Sequence, residues 1–203
     1  RLQAAAVDIP EQHGGVVPDT VEEPLQLPGI GDYTARAVAA FAYGHRHPVV
    51  DTNVRRVIAR AIDGLGEAGP PSTRRDLAAM EALLPQGLAD ARLANAAIME
   101  LGAIVCTARA PLCEACPIAG QCAWRLDGYP PYLGPRAPVQ KKFEGSDRQV
   151  RGLIVAELRA SDIPVTAEEI EALWPDAVQR KRALAGLLHD GLVTRLDGGY
   201  SLP

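Results

Sequence analysis

The sequence predicts a mainly α-helical protein: a helical domain carrying a cysteine-rich loop, then a small winged-helix-like α+β module. Three observations carry that expectation. Ala, Leu and Arg abound while aromatics make up only 4% of the 203 residues, a balance that favours helix over sheet. Apolar residues recur at helical spacing along most of the chain. A Pro/Gly-rich connector, "GYPPYLGPRAPVQKKFEGS", separates two stretches of different character. The expected division is a helical core over 1–125 with the cysteine loop at 106–122, a linker over 126–146, and the module over 147–203.

Taken in order, "RLQAAAV" reads as a helix already under way at Arg1, so further sequence upstream is expected. "PDTVEEPLQL" carries a capping signature, Thr20 with Glu23 three residues on, and predicts a helix stopped by the Leu27-Pro28-Gly29 turn. An Ala-rich, largely apolar helix follows over about Tyr33 to Tyr43. Asp51 opens "TNVRRVIARAI", which aligns Val54, Val57, Ile58 and Ala61 on one stripe. Gly64 to Pro71 is a loop, and helical patterns resume over Ser72 to Leu84 and Ala89 to Val105. Beyond the connector come an amphipathic helix over Arg148 to Ala160, a short helix capped by Thr166, and a third helix, "VQRKRALAGLLHDG". "LVTRLDGGYSL" then reads as a hairpin with a glycine turn.

Composition narrows function less than it narrows fold. Apolar residues make up 47% of the chain, enough for real cores. No run is long enough to span a membrane and no signal-peptide pattern appears, so a cytoplasmic protein, nucleoid-associated if it binds DNA, is the simplest expectation. Lys and Arg total 21 against 25 Asp and Glu, a net charge of −4, so nucleic-acid binding has to rest on local patches. Four are candidates: Arg55-Arg56 with Arg60, Arg74-Arg75, Lys141-Lys142, and Arg180-Lys181-Arg182. Each taken alone reads more simply as a solvated helix face.

All four cysteines, Cys106, Cys113, Cys116 and Cys122, fall in one segment at C-x6-C-x2-C-x5-C spacing. An intracellular setting keeps thiols reduced and argues against disulfides. A structural zinc site stays open, although zinc usually takes two short-spaced pairs and only Cys113 and Cys116 form one. One compact loop delivering four thiolates better suits a cubane, whose irons each want one sulfur at a separate corner. The spacing resembles the cluster loop of the endonuclease III and MutY family of DNA glycosylases. That resemblance implies a [4Fe–4S] cofactor of architectural role, and it places Arg109 near DNA phosphate; a solvated loop arginine is the plainer reading.

"LPGIG", Leu27, Pro28, Gly29, Ile30 and Gly31, stands between two helical segments. With Ile30 turned inward, the bare backbone exposes N–H groups at a helix N-terminus, where phosphate is welcome. That is a helix-hairpin-helix element, a grip on the DNA backbone independent of sequence. The stretch resembles the same superfamily. Its bifunctional members carry lysine two residues after the second glycine, and that amine opens the strand through a Schiff base. Here Tyr33 stands in that place, which implies monofunctional chemistry; its plain reading is an aromatic that packs the helix. Tyrosine occurs there in MutY-type adenine glycosylases and in some thymine mismatch glycosylases.

"VVDTNVRRV" resembles the segment that holds the superfamily's catalytic aspartate, making Asp51 the carboxylate and Asn53 its polar neighbour. Asp51 also meets the requirements of a helix N-cap, and the two roles are compatible. The MutY general acid is a glutamate on an early helix, upstream of the segments matched here, and no residue of this chain corresponds to it, so the resemblance implies that this polypeptide alone is an impaired enzyme. The resemblance spans about Arg1 to Val139 and is closest to MutY-type adenine glycosylases. It implies monomeric action on double-stranded DNA containing a mispair, removing adenine opposite 8-oxoguanine or guanine. Thymine/uracil mismatch glycosylase and catalytically deficient DNA-binding module are the alternatives. The C-terminal module departs from the Nudix-like domain of many MutY enzymes.

Overall fold

The computed structural model describes residues 2–136 and 142–203. The chain forms two compact units that divide between residues 138 and 139, inside the expected linker. Lys141, one of the candidate basic residues, lies outside the described residues.

Among the described residues, every regular element of the first unit is helical. Helix α1 (Leu2–His13) ends where Gly14 and Gly15 both take left-handed backbone. The signature at Thr20 makes its hydrogen bonds, with Glu23 N–H reaching Thr20 Oγ1 at 3.3 Å and the hydroxyl reaching Glu23 at 2.8 Å. Only a single 3-10 turn, Pro24–Gln26, follows. The expected helix fails because Pro24 has no N–H to give and Pro28 blocks continuation four residues later. Helix α2 (Asp32–Ala37) runs on as a π-turn, Val38–Ala42. Val21, Ala35 and Ala39 are buried together with Ile30 against them, which fixes the turn between Leu27 and Gly31.

Helices α3 (Thr52–Ala61), α4 (Thr73–Glu81) and α5 (Leu88–Glu100) enclose the main core of this unit. It holds Val54, Ile58, Met80, Leu84 and Ala91. The α5 helix ends in a second π-turn, Leu101–Val105, that hands the chain to Cys106. Two 3-10 turns, Cys113–Ala115 and Ala119–Gln121, and the short helix α6 (Ala123–Leu126) complete the cysteine loop.

The second unit matches the winged-helix expectation. Helices α7 (Asp147–Ala160), α8 (Ala167–Ala172) and α9 (Ala177–His189) are followed by strands β1 (Thr194–Leu196) and β2 (Gly199–Ser201). The strands pair antiparallel with Arg195 opposite Tyr200, and Val165 bridges to Tyr200 on its other side. Thr166 and Glu169 form a full capping box at α8. Val150, Ile154, Leu158, Ile170, Ala183 and Leu187 make an independent core. The basic run on α9 is largely used inside the unit. Arg180 is 8% exposed and donates to the Trp174 carbonyl at 2.5 Å, and Arg182 pairs with Asp147 at 2.6 Å. Lys181 alone of the three is exposed without a partner among the described residues. No described helix is long and apolar enough to cross a membrane.

Candidate active site

Asp51 is half-buried at the start of α3, in extended backbone. Its Oδ1 accepts the Val54 N–H at 2.7 Å, the N-cap bond expected from sequence. Its Oδ2 accepts from Asn53 Nδ2 at 3.0 Å. Both oxygens are therefore held in place. The carboxylate stays within reach of solvent.

Asn53 is itself fixed. Its Oδ1 accepts from Arg56 Nη2 at 2.9 Å. Arg56 then donates to the Gly102 carbonyl at 2.6 Å and, through Nε, to the Cys106 carbonyl at 2.7 Å. Burial pulls the Arg56 guanidinium below its ordinary value, against the opposing pull of Cys106 and Asp51. A guanidinium starts so high that it remains a cation. One continuous hydrogen-bonded line thus runs from Asp51 through Asn53 and Arg56 to the backbone of the first cysteine. Gly102 makes it possible, since a Cβ there would lie 2.8 Å from Asn53 Cβ and 2.9 Å from its carbonyl oxygen.

The segment leading into Asp51 is pinned by Asn95, a fully buried side chain of α5. It accepts from Val49 N–H at 2.9 Å and donates to the His47 and Ala91 carbonyls at 3.0 Å. Burial, and then the Arg36 charge, lower the nearby His47 imidazole. This favours the neutral ring.

The hairpin looks different. Gly29 has φ of 84°, which suits glycine, whereas Gly31 has ordinary φ of −107° with no atom near the position of a Cβ. Leu27 is buried, Pro28 and Ile30 are half-buried, and both glycines are exposed. Tyr33 stands 44% exposed in the first turn of α2, its hydroxyl making no hydrogen bond to Asp51 or to any other described residue.

The arginines once grouped as a basic patch on α3 point inward. Arg55 pairs with Asp76 at 2.7 Å and donates to the carbonyls of Ala68, Gly69 and Pro70. Arg60 is 5% exposed. Run length and charge could not foretell this, because α3 is surrounded by loops whose carbonyls need donors. Arg109 is exposed in the cysteine loop.

Cys106, Cys113, Cys116 and Cys122 are half-buried free thiols and line one cavity together. Among the described residues, no three Cys, His, Asp or Glu side chains converge tightly enough for a single ion. Four sulfurs around one space fit a cubane, whose irons each take one thiolate at a separate corner. Arg60 Nη1 reaches Cys106 Sγ at 3.4 Å, and Arg125 donates to the Cys113 carbonyl at 2.9 Å.

A bare backbone hairpin, a clamped carboxylate and a four-thiol loop on helical scaffolding define an iron–sulfur helix-hairpin-helix protein of the DNA-glycosylase type. Comparisons agree. Residues 12–41 match the helix-hairpin-helix motif and residues 106–122 match the iron-sulfur binding domain of endonuclease III. The adenine DNA glycosylase of Mycobacterium tuberculosis is 53% identical over 205 residues, covering all of this chain and 66% of its own. That of Mycolicibacterium smegmatis is 49% identical over 204 residues, covering all of this chain and 68% of its own. A solved thermostable thymine-DNA glycosylase is 32% identical with a TM-score of 0.53, covering 62% of this chain and 57% of its own. The chain belongs to the adenine DNA glycosylase family, and its cofactor is a [4Fe–4S] cluster. It spans about two thirds of the length of the mycobacterial relatives.

Proposed function

We propose that this chain acts in base-excision repair as a monomeric, monofunctional adenine DNA glycosylase on duplex DNA containing adenine opposite 8-oxoguanine or guanine. The observation that carries the reading is the clamped carboxylate. Loss of a base leaves an oxocarbenium-like sugar, and an anion fixed in advance stabilises that charge without reorganising. Asp51 is such an anion, held at both oxygens and open to solvent. Hairpin residues 27–31 hold the DNA backbone, the Ile30 N–H closing the turn onto the Leu27 carbonyl and the Gly31 N–H offered to phosphate, so the enzyme can inspect any sequence while adenine is turned out of the stack.

Tyr33 supports hydrolysis without strand cleavage. A phenol cannot form an imine, so water is the acceptor of the sugar and the product is an abasic site. Cys106, Cys113, Cys116 and Cys122 are assigned as the four thiolate ligands of the cluster. The cluster supplies architecture: its loop presents Arg109 and anchors the Cys106 carbonyl that Arg56 holds.

The test is base release from defined duplexes carrying A·8-oxoguanine, A·G, T·G or U·G, with Asp51→Asn alongside. Release of adenine from the first two is expected. Asn keeps the cap but not the charge, so Asp51→Asn should lose about 10³-fold or more in rate while binding duplex normally. Release of thymine or uracil instead would overturn the substrate assignment in favour of a mismatch enzyme.

A further inference from the structure

Trp124, two residues past the last cysteine, is gripped from several directions. The Arg60 guanidinium lies 4.7 Å from its ring centre. The Tyr129 ring meets it edge-on at 4.9 Å. Its Nε1–H donates to the Pro130 carbonyl at 2.9 Å. A Cβ on Gly66 would sit 3.3 Å from that same nitrogen, so the loop after α3 closes on the indole too. Trp124 also lines the cavity bounded by all four cysteines.

The layer beneath is equally fixed. Arg60 donates to the Thr107 and Ala108 carbonyls at 2.7 and 3.1 Å, and to Gly66 at 3.0 Å. It therefore ties α3 to the start of the cysteine loop while its flat face carries Trp124. The neighbouring Arg125 ties α6 to Cys113.

Tyr129 is held there against its backbone preference. Gly128 and Tyr129 both take left-handed backbone, with φ of 75° and 62°, and Tyr129 is the one non-glycine with positive φ among the described residues. An aromatic residue seldom adopts that region, and such strain persists only where surroundings over-determine it. Here the Tyr129 N–H closes onto the Trp124 carbonyl at 2.9 Å, which folds the ring back over the indole.

Neither aromatic belongs to the hairpin, to the acid or to the ligand set. We propose that Trp124 and Tyr129, seated on Arg60, form an aromatic latch that retains the cluster: α6 has to lift before iron leaves its loop. The proposal rests on the assignment of the four cysteines as ligands.

The experiment follows iron release from the cluster-loaded protein to a strong ferrous chelator without oxygen, read by loss of cluster absorbance and by chelate colour. Trp124→Ala should release iron about tenfold faster, the scale of losing one cation–π and one edge-on aromatic contact. Tyr129→Phe keeps the ring and should release at the parental rate. Tyr129→Gly separates latch from simple stability, because it relieves the left-handed strain and removes the ring. The latch requires faster release there, by about three- to fivefold, even if the melting temperature rises. Trp124→Phe gives a second reading should Trp124→Ala fail to fold, with release between parent and Ala. Parental release rates in both Tyr129→Gly and the Trp124 variants would sink the latch. A parent that binds no iron would sink the ligand assignment instead.

Discussion

The hairpin at residues 27–31 and the stretch from Asp51 to Cys106 solve opposite problems. The hairpin has exposed glycines and no atom close to the position of a Cβ on Gly31. Between Asp51 and Cys106 polar atoms are matched: both Asp51 oxygens, the Asn53 amide and the Arg56 guanidinium are all hydrogen-bonded. A grip on any phosphate backbone gains from being unsatisfied until DNA arrives. An acid that stabilises a short-lived cation gains from being rigid beforehand. On the proposed function, binding and chemistry are thus separated along the chain, and variants of one region should leave the other intact.

Arg56→Gln should break the rigid half with the larger effect. It removes the donor to two carbonyls and frees Asn53, which then stops fixing Asp51 Oδ2. Losing an outer partner of this kind costs about 10- to 100-fold in activity. The loss should fall on single-turnover base release and leave duplex affinity unchanged. Parental single-turnover rates would show that the line from Asp51 to Cys106 is idle.

The open half sharpens through its two glycines. Gly29→Ala has to place a Cβ at φ of 84° and should cost about 1–2 kcal/mol of stability, with weaker DNA binding as a consequence. Gly31→Ala meets no atom and keeps an ordinary φ of −107°. It should melt like the parent yet bind duplex several-fold more weakly whatever the sequence, because the new methyl group stands where phosphate approaches. Titration of matched and mispaired duplexes by fluorescence anisotropy reads both. Unchanged affinity in Gly31→Ala would remove the hairpin from the DNA interface.

Much of this arrangement was legible before any coordinates. Asp51 as cap, Thr166 as cap, and the hairpin after α9 are local patterns, and each forms as read. Thr20 with Glu23 shows where local pattern stops, since the bonds form but two prolines deny the helix its continuation. The arginines of α3 and α9 were harder. Sequence reports charge, and it does not report which neighbouring carbonyls lack donors, so Arg55, Arg56, Arg60 and Arg180 read as surface when they are structural. Asn95 and Gly102 act across 46 or more residues of chain, a separation at which no spacing rule operates. A glycine four residues before Cys106 was the one available hint of close helix approach.

The smallest expected effect on base release lies at the pair of Arg55 and Asp76. Burial works to raise the Asp76 carboxyl, but the Ser72 N–H, Arg75 and Arg55 outweigh it and hold it below its ordinary 3.8. A carboxyl lowered in the folded state binds its proton more readily when unfolded. Its contribution is therefore complete above 3.8 and is lost as pH falls through the lowered folded value. Asp76→Asn should cost about 1–3 kcal/mol at neutral pH, since Arg55 is left with one fewer partner in a half-buried site. The difference from the parent should shrink in acid, and the two urea midpoints should approach each other below pH 4. Base release at neutral pH, under conditions where both are folded, should be equal, because Asp76 supports α3 from the side facing away from Asn53. A variant whose stability deficit stays constant from pH 7 to pH 3 would show that the carboxylate charge contributes nothing, and that only the shape of the side chain holds Arg55 in place.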